Sequence, residues 1–159
     1  MDGVAAWLAS TSLAQAMRDS PWLYPIVETV HIAGFCILVG AVAMFDLRVL
    51  GVGRTLPVSA LARLLLPWSL GSVLLVVPAG LLMFSTQPDA FLRNPVFLLK
   101  LALIGMAGLN ALLFHVGVYR SVAHWETERR APPTARWQAA FSLVLWLAVI
   151  ACGRMLAYV

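Results

Sequence analysis

Charged residues are scarce in this sequence, and their scarcity excludes most soluble folds. Lys, Arg, Asp and Glu together supply 11% of its 159 residues, whereas hydrophobic residues supply 62% and the mean hydropathy is +0.89. A soluble domain of this length needs a wetted exterior, which so few polar side chains cannot provide. We therefore expect an integral membrane protein whose main partner is the lipid bilayer. Its net charge of +4 reports on orientation in the membrane, and no nucleic-acid partner is predicted.

Three further absences narrow the class of protein. There are only two cysteines, Cys36 and Cys152, and both lie in apolar runs, which favours small buried side chains over a disulfide or a metal pair. No basic region precedes the short apolar run at residues 4–9, so a signal peptide is not predicted. No internal repeat, low-complexity tract or nucleotide-binding glycine loop is present. We expect a single membrane domain over residues 1–159.

The apolar segments predict an all-α fold, a bundle of four transmembrane helices. A membrane-spanning helix needs about 20 apolar residues, and the sequence predicts such spans at residues 22–47, 64–84, 95–119 and 138–158. Residues 3–17 form an amphipathic stretch with Trp7, typical of a short helix that lies in the membrane interface. Pro78 is expected to bend the second span.

Arginine is distributed unequally between the two sides of the predicted bundle. Seven arginines flank the connections after the first and third spans, namely Arg48, Arg54, Arg63, Arg120, Arg129, Arg130 and Arg136. Only Arg18 and Arg93 lie outside the apolar runs on the other side. Because cytoplasmic loops carry an excess of basic residues, we predict a bacterial inner-membrane protein with both termini in the periplasm.

Ionisable residues interrupt the apolar first span, and the predicted orientation gives each of them a depth. Such residues are costly inside a membrane and usually mark function. Glu28 and His31 lie ~9 Å and ~13 Å below the periplasmic end of their helix, and Lys100 and Arg154 lie ~8 Å and ~6 Å below that end of theirs. These four side chains are therefore predicted to form one layer near the periplasm.

A second polar layer is predicted near the cytoplasmic ends of the helices. Asp46 lies eighteen positions after Glu28, which is five full helical turns, so the two share a helix face at different depths. Its layer also contains His115. We expect Asp46 and His115 to pair with each other, or with Arg48 and Arg120, at the interface.

The periplasmic layer suits a haem b. His31 can ligate the iron as a neutral imidazole, Gly34 one turn away is expected to leave open space for a flat porphyrin, and Phe35 is expected to supply a wall. Cations near the surface, Lys100 and Arg154, can pair with the propionates.

The second axial ligand of such a haem is not evident. His115 is ~17 Å from the depth of His31, so it is at most a separate and less favoured metal site.

Two stretches carry a resemblance to known proteins. SPWLYPIVETVHIAGFCILVGAVAMFDLRVLG and NPVFLLKLALIGMAGLNALLFH resemble a family of small four-helix bacterial inner-membrane proteins of uncharacterised function. More distantly, His31 and Lys100 match a helix-one histidine and a helix-three lysine of the CopD and HemJ type. This resemblance implies haem binding, as in HemJ protoporphyrinogen oxidases, or copper uptake, to which CopD proteins are linked. The histidine expected about three turns after the lysine falls near Asn110 or Ala111 here.

Three functions remain open. The first is a haem protein that transfers electrons or acts as a haem-linked oxidoreductase near the periplasmic face, together with a redox partner. The second is a CopD-like permease for copper or a small solute, with Glu28, His31 and Asp46 along its path. The third is an accessory subunit of a larger membrane complex, in which polar residues set helix register. Gly105 and Gly108 favour close helix approach and hence a homo-oligomer.

Overall fold

The computed structural model describes residues 2–125 and 130–158, which contain helices and no strand. The α-helices are α1 (Asp2–Ser10), α2 (Ser12–Asp19), α3 (Leu23–Leu50), α4 (Val58–Thr86), α5 (Pro88–Arg93), α6 (Pro95–Val116) and α7 (Pro133–Met155), and a 3-10 helix (Val118–His124) follows α6. Four of them, α3, α4, α6 and α7, are long and apolar enough to cross a membrane, which confirms the predicted all-α, four-helix membrane fold. Arg129 lies outside the described residues.

Capping residues explain where the spanning helices begin and end. α3 continues to Leu50 because Gly51, at φ +115°, adopts the left-handed conformation that ends the helix. Asn94 begins α6, since its side-chain oxygen accepts hydrogen bonds from the N–H groups of Val96 and Phe97. α4 is longer than predicted and begins at Val58.

The N-terminal segment forms two helices where one amphipathic helix over residues 3–17 was predicted. Thr11 separates them, because its hydroxyl accepts a 3.3 Å hydrogen bond from the N–H of Ala14 and so begins α2. Ala14 and Met17 are buried, and α2 packs against α3 and α4. The two short helices and α5 lie at the same end of the bundle, which we call the N-terminal end.

The spanning helices form a bundle with one incomplete side. α3 packs against α4 and α7, and α7 also packs against α6. At the N-terminal end, α4 and α6 are linked by the rings of Phe84, Phe91 and Phe97, with centroids 5.1, 5.7 and 6.0 Å apart. Along the two helices, however, no Cα atom of α4 lies within 8 Å of one in α6. We call this gap the α4/α6 seam.

The opposite end of the bundle, which we call the arginine-rich end, is closed by a buried apolar cluster. The cluster draws on α3, α4, α6, α7 and the chain after the 3-10 helix, through Val49, Val58, Phe114, Trp125, Ala135 and Ala139. Because all four spanning helices contribute to it, the cluster sets the register of α3 against α7 at this end.

Glycine allows α3 and α4 to approach closely. A Cβ atom added to Gly34 would lie 3.0 Å from Cγ2 of Val76 and 3.4 Å from Cβ of Leu75, so no larger residue fits without displacement. A Cβ atom added to Gly80 on α4 would lie 3.1 Å from Cε1 of His31. Small residues at such positions let helix backbones pack in a membrane, where van der Waals contact is a main source of association.

We expect Gly34→Leu to destabilise the bundle, because the new side chain overlaps Val76 and must push α4 away. Overpacking of this kind typically costs about 1–3 kcal/mol. Gly40→Leu is the matched control, since Gly40 lies on the same helix with no atom within 4 Å of an added Cβ. Thermal unfolding in detergent measures both variants, and equal melting temperatures for the two would contradict the packing described for α3 and α4.

Candidate functional site

His31 is fixed in orientation by α4. Its Nδ1 atom lies 2.9 Å from the carbonyl oxygen of Val76. Because a carbonyl only accepts hydrogen bonds, Nδ1 carries the hydrogen and donates it. Nε2 has no hydrogen-bond partner among the described residues. The neutral imidazole is therefore held in the tautomer whose Nε2 lone pair is available.

α4, the helix that accepts the hydrogen bond from His31, contains a proline beside the ring. Pro78 lies inside α4 and has no N–H group to donate to the carbonyl of Leu74, which weakens the regular helix in this turn. The Val76 carbonyl belongs to that turn. Gly80, one turn further on, leaves room for the edge of the imidazole. The imidazole ring of His31 therefore packs against the stretch of α4 that contains Pro78 and Gly80.

Lys100 and Glu28 accompany His31 in the same layer. Both act electrostatically on the imidazole, one as a cation and the other as an anion. Lys100 is half-buried, with Nζ 3.8 Å from the position of a Cβ atom on Gly153 of α7. It makes no hydrogen bond or ion pair with a described residue, and Glu28 is exposed. Lys100 is thus a partly desolvated cation whose charge no carboxylate neutralises directly.

Arg154 is at the same end of the bundle but turns elsewhere. Its guanidinium donates a hydrogen bond to the hydroxyl of Tyr158 and lies over that ring, with Cζ 4.7 Å from the ring centroid. The side chain is exposed. Arg154 therefore lies at the exposed rim of the layer in contact with Tyr158, whereas Lys100 lies within the layer.

Two residues predicted to shape a ligand site pack against other helices. Gly34 leaves no open space, because Val76 and Leu75 of α4 fill the position beside it. Phe35 packs edge-on against Trp146 of α7, with ring centroids 5.9 Å apart. The expectation of open space beside Gly34 is therefore wrong, because that space belongs to the α3–α4 contact.

In the second polar layer, Asp46 and His115 do not pair with each other. Asp46 is buried, and the polar group that interacts with it is the hydroxyl of Ser142 on α7. Nδ1 of His115 instead lies 2.8 Å from the carbonyl oxygen of Ala111, and its ring stacks on Phe45 at 6.4 Å.

Arg48 likewise has partners other than Asp46. It donates hydrogen bonds to the carbonyls of Leu56 and Arg54 in the connection that follows α3, at 2.6 and 3.1 Å. No described cation pairs with Asp46.

The described residues offer little for a bare metal ion. Over residues 2–125 and 130–158, no three His, Cys, Asp or Glu side chains come close enough together to hold one. Cys36 and Cys152 are both free thiols, the first exposed and the second buried, so only Cys152 matches the expected buried position.

Comparisons with protein-family models, with curated proteins and with solved structures find no significant match to this chain. The functional argument consequently rests on the site residues.

We expect the histidine tautomers to be visible by 15N NMR of histidine-labelled protein in detergent. His31 should show a protonated Nδ1 and an unprotonated Nε2, because Val76 accepts from the former. Gly80→Ala should shift the His31 signals, since the added Cβ atom would lie 3.1 Å from Cε1. Gly71→Ala, with no atom within 4 Å of an added Cβ, is the control on the same helix. A His31 that is protonated at Nε2 alone would contradict the hydrogen bond to Val76.

Proposed function

We propose that this multi-pass membrane protein binds a b-type haem with Nε2 of His31 as an axial ligand of the iron. The observation that carries the proposal is the anchoring of Nδ1 on the Val76 carbonyl, which leaves Nε2 without a described partner. Metal-binding histidines almost always donate their other ring N–H to a carbonyl, carboxylate or water, which fixes the ring and raises its basicity.

The number of available ligands favours haem over copper. Copper sites collect several soft or imidazole ligands around one ion, and the described residues contain no such group. A haem brings four nitrogen ligands of its own, so the protein needs to supply only one or two. His31 alone would meet this smaller requirement.

The fit to a porphyrin is different from the one predicted. The Gly34 face of α3 is closed by Val76, so the residues that would hold a porphyrin are those on the Nε2 side of the imidazole. The α4/α6 seam supplies an approach from the bilayer, because α4 and α6 do not pack against each other. Both helices carry exposed leucines, among them Leu74, Leu81, Leu98 and Leu101.

The charges around His31 suit the two carboxylates of a haem. Lys100 acts on the imidazole electrostatically and lacks a described ion-pair partner, so it can pair with one propionate. Arg154 is positioned at the exposed rim for the second. When bound, the haem would supply a one-electron redox couple to a membrane partner, and the chain's own residues would hold and orient it. With the predicted orientation, this layer lies near the periplasm.

Visible spectroscopy tests the proposal directly. Full-length protein purified in detergent from cells supplied with 5-aminolaevulinate should show a Soret band and a redox-sensitive α band. His31→Ala should abolish both, because the iron loses its axial ligand. His124→Ala is the control, since His124 is exposed on the 3-10 helix. A colourless preparation with no extractable haem would falsify the proposal, as would a loss of the bands in His115→Ala but not in His31→Ala.

Lys100→Met should weaken haem binding while leaving the absorption maxima in place. One partly exposed ion pair contributes about 1 kcal/mol, or roughly a fivefold change in affinity. Lys100→Arg retains the charge and should retain most of the affinity. Haem titration of the apoprotein measures all three forms, and identical dissociation constants would remove Lys100 from the propionate site.

A further inference from the structure

Asp46 is a buried carboxyl group that the haem proposal does not use. Its side chain is 6% exposed, and its Oδ2 atom has no hydrogen-bond partner. The Ser142 hydroxyl is its one described polar partner. A buried carboxylate with a single neutral partner is strongly disfavoured in a membrane protein, so it pairs, binds a cation or takes up a proton.

No described charged residue on the helices around Asp46 forms an ion pair with it. On α3 itself, Arg48 bonds to carbonyls of the connection that follows the helix. Arg63 of α4 and Arg136 of α7 are exposed. His115 of α6 bonds to Ala111.

The more distant charged groups among the described residues also have other positions. Lys100 and Cys152 belong to the other layer, as do the charged residues of α2, Arg18 and Asp19. Arg120 and His124 of the 3-10 helix are exposed. No described cation therefore neutralises Asp46.

A second buried oxygen without a hydrogen-bond partner belongs to Gln138, on the face of α7 that carries Ser142. Gln138 is one turn before Ser142, so the two residues point to the same side of the helix. Its Oε1 atom is buried and has no hydrogen-bond partner. Its backbone carbonyl accepts a 3.0 Å hydrogen bond from Asn110 of α6, which fixes this turn of α7 against α6. Ser142 and Gln138 thus place a hydroxyl group and an acceptor oxygen without a partner on one face of α7.

We infer that Asp46 binds a monovalent cation, H⁺ or Na⁺, between α3 and α7, with oxygen atoms of Ser142 and Gln138 completing the site. Both cations remove the charge of the carboxylate, and a set of acceptor oxygens suits either one. The site is at the arginine-rich end of the bundle, far from His31, and is independent of haem binding.

Infrared spectroscopy and thermal unfolding of the full-length protein in detergent separate the two cations. Proton binding predicts a carboxylic-acid C=O band that disappears on raising the pH and is missing in Asp46→Asn. Sodium binding instead predicts a melting temperature that rises with NaCl, does not rise with choline chloride, and loses this response in Asp46→Asn. Asp89→Asn, which removes an exposed carboxylate, should change neither observation.

Ser142→Ala keeps the test decisive if Asp46→Asn fails to fold. Removal of the hydroxyl should shift the C=O band of a protonated Asp46, or weaken the response to sodium at least severalfold. The inference is overturned if the wild-type protein shows neither the band nor a sodium response. It is also overturned if the signals persist unchanged in Asp46→Asn, or in Ser142→Ala when Asp46→Asn does not fold.

Discussion

The close contact between α3 and α4 is the constraint on which the His31 site depends. Glycine on each helix, Gly34 and Gly80, lets the two backbones approach until Val76 and His31 fill the space between them. The same approach brings the imidazole within hydrogen-bonding distance of the Val76 carbonyl. Because a backbone carbonyl cannot move independently of its helix, the orientation of the ring follows from helix packing alone. Nε2 is thereby presented without any further polar side chain.

That contact also explains why the bundle is incomplete on one side. α4 is held by α3 and by the short helices at the N-terminal end, and α6 is held by α7. Aromatic rings join α4 to α6 at the N-terminal end, and the buried cluster around Val58 and Phe114 joins them at the other. Between these two attachments, nothing requires the helices to meet. In a bilayer, apolar side chains along such a seam have no drive to leave lipid, so the gap is compatible with a stable fold.

The sequence predicted the elements well and their neighbours poorly, for a physical reason. Apolar length determines which segments can cross a membrane, so the four spans followed from the sequence. A helical face identifies a small or polar residue without identifying the helix it meets. Gly34 was therefore expected to border a ligand, although α4 occupies that space. Ser142, the partner of Asp46, was likewise not predicted, because the adjacency of α3 and α7 is a property of the bundle.

The polar residues of α3 lie at two depths in the bundle, and they also contact two different helices, α4 and α7. His31 and Gly34 meet α4, whereas Phe35 and Asp46 meet α7. A shared stripe on the isolated helix suggests one continuous polar path, since Glu28 and Asp46 are five full turns apart. Two different neighbours interrupt that path, because α4 covers the stripe near His31 and α7 covers it near Asp46. The division favours two separate binding sites over a permeation path along α3. It also places a cationic layer at one end of the bundle and an unpaired carboxyl group at the other.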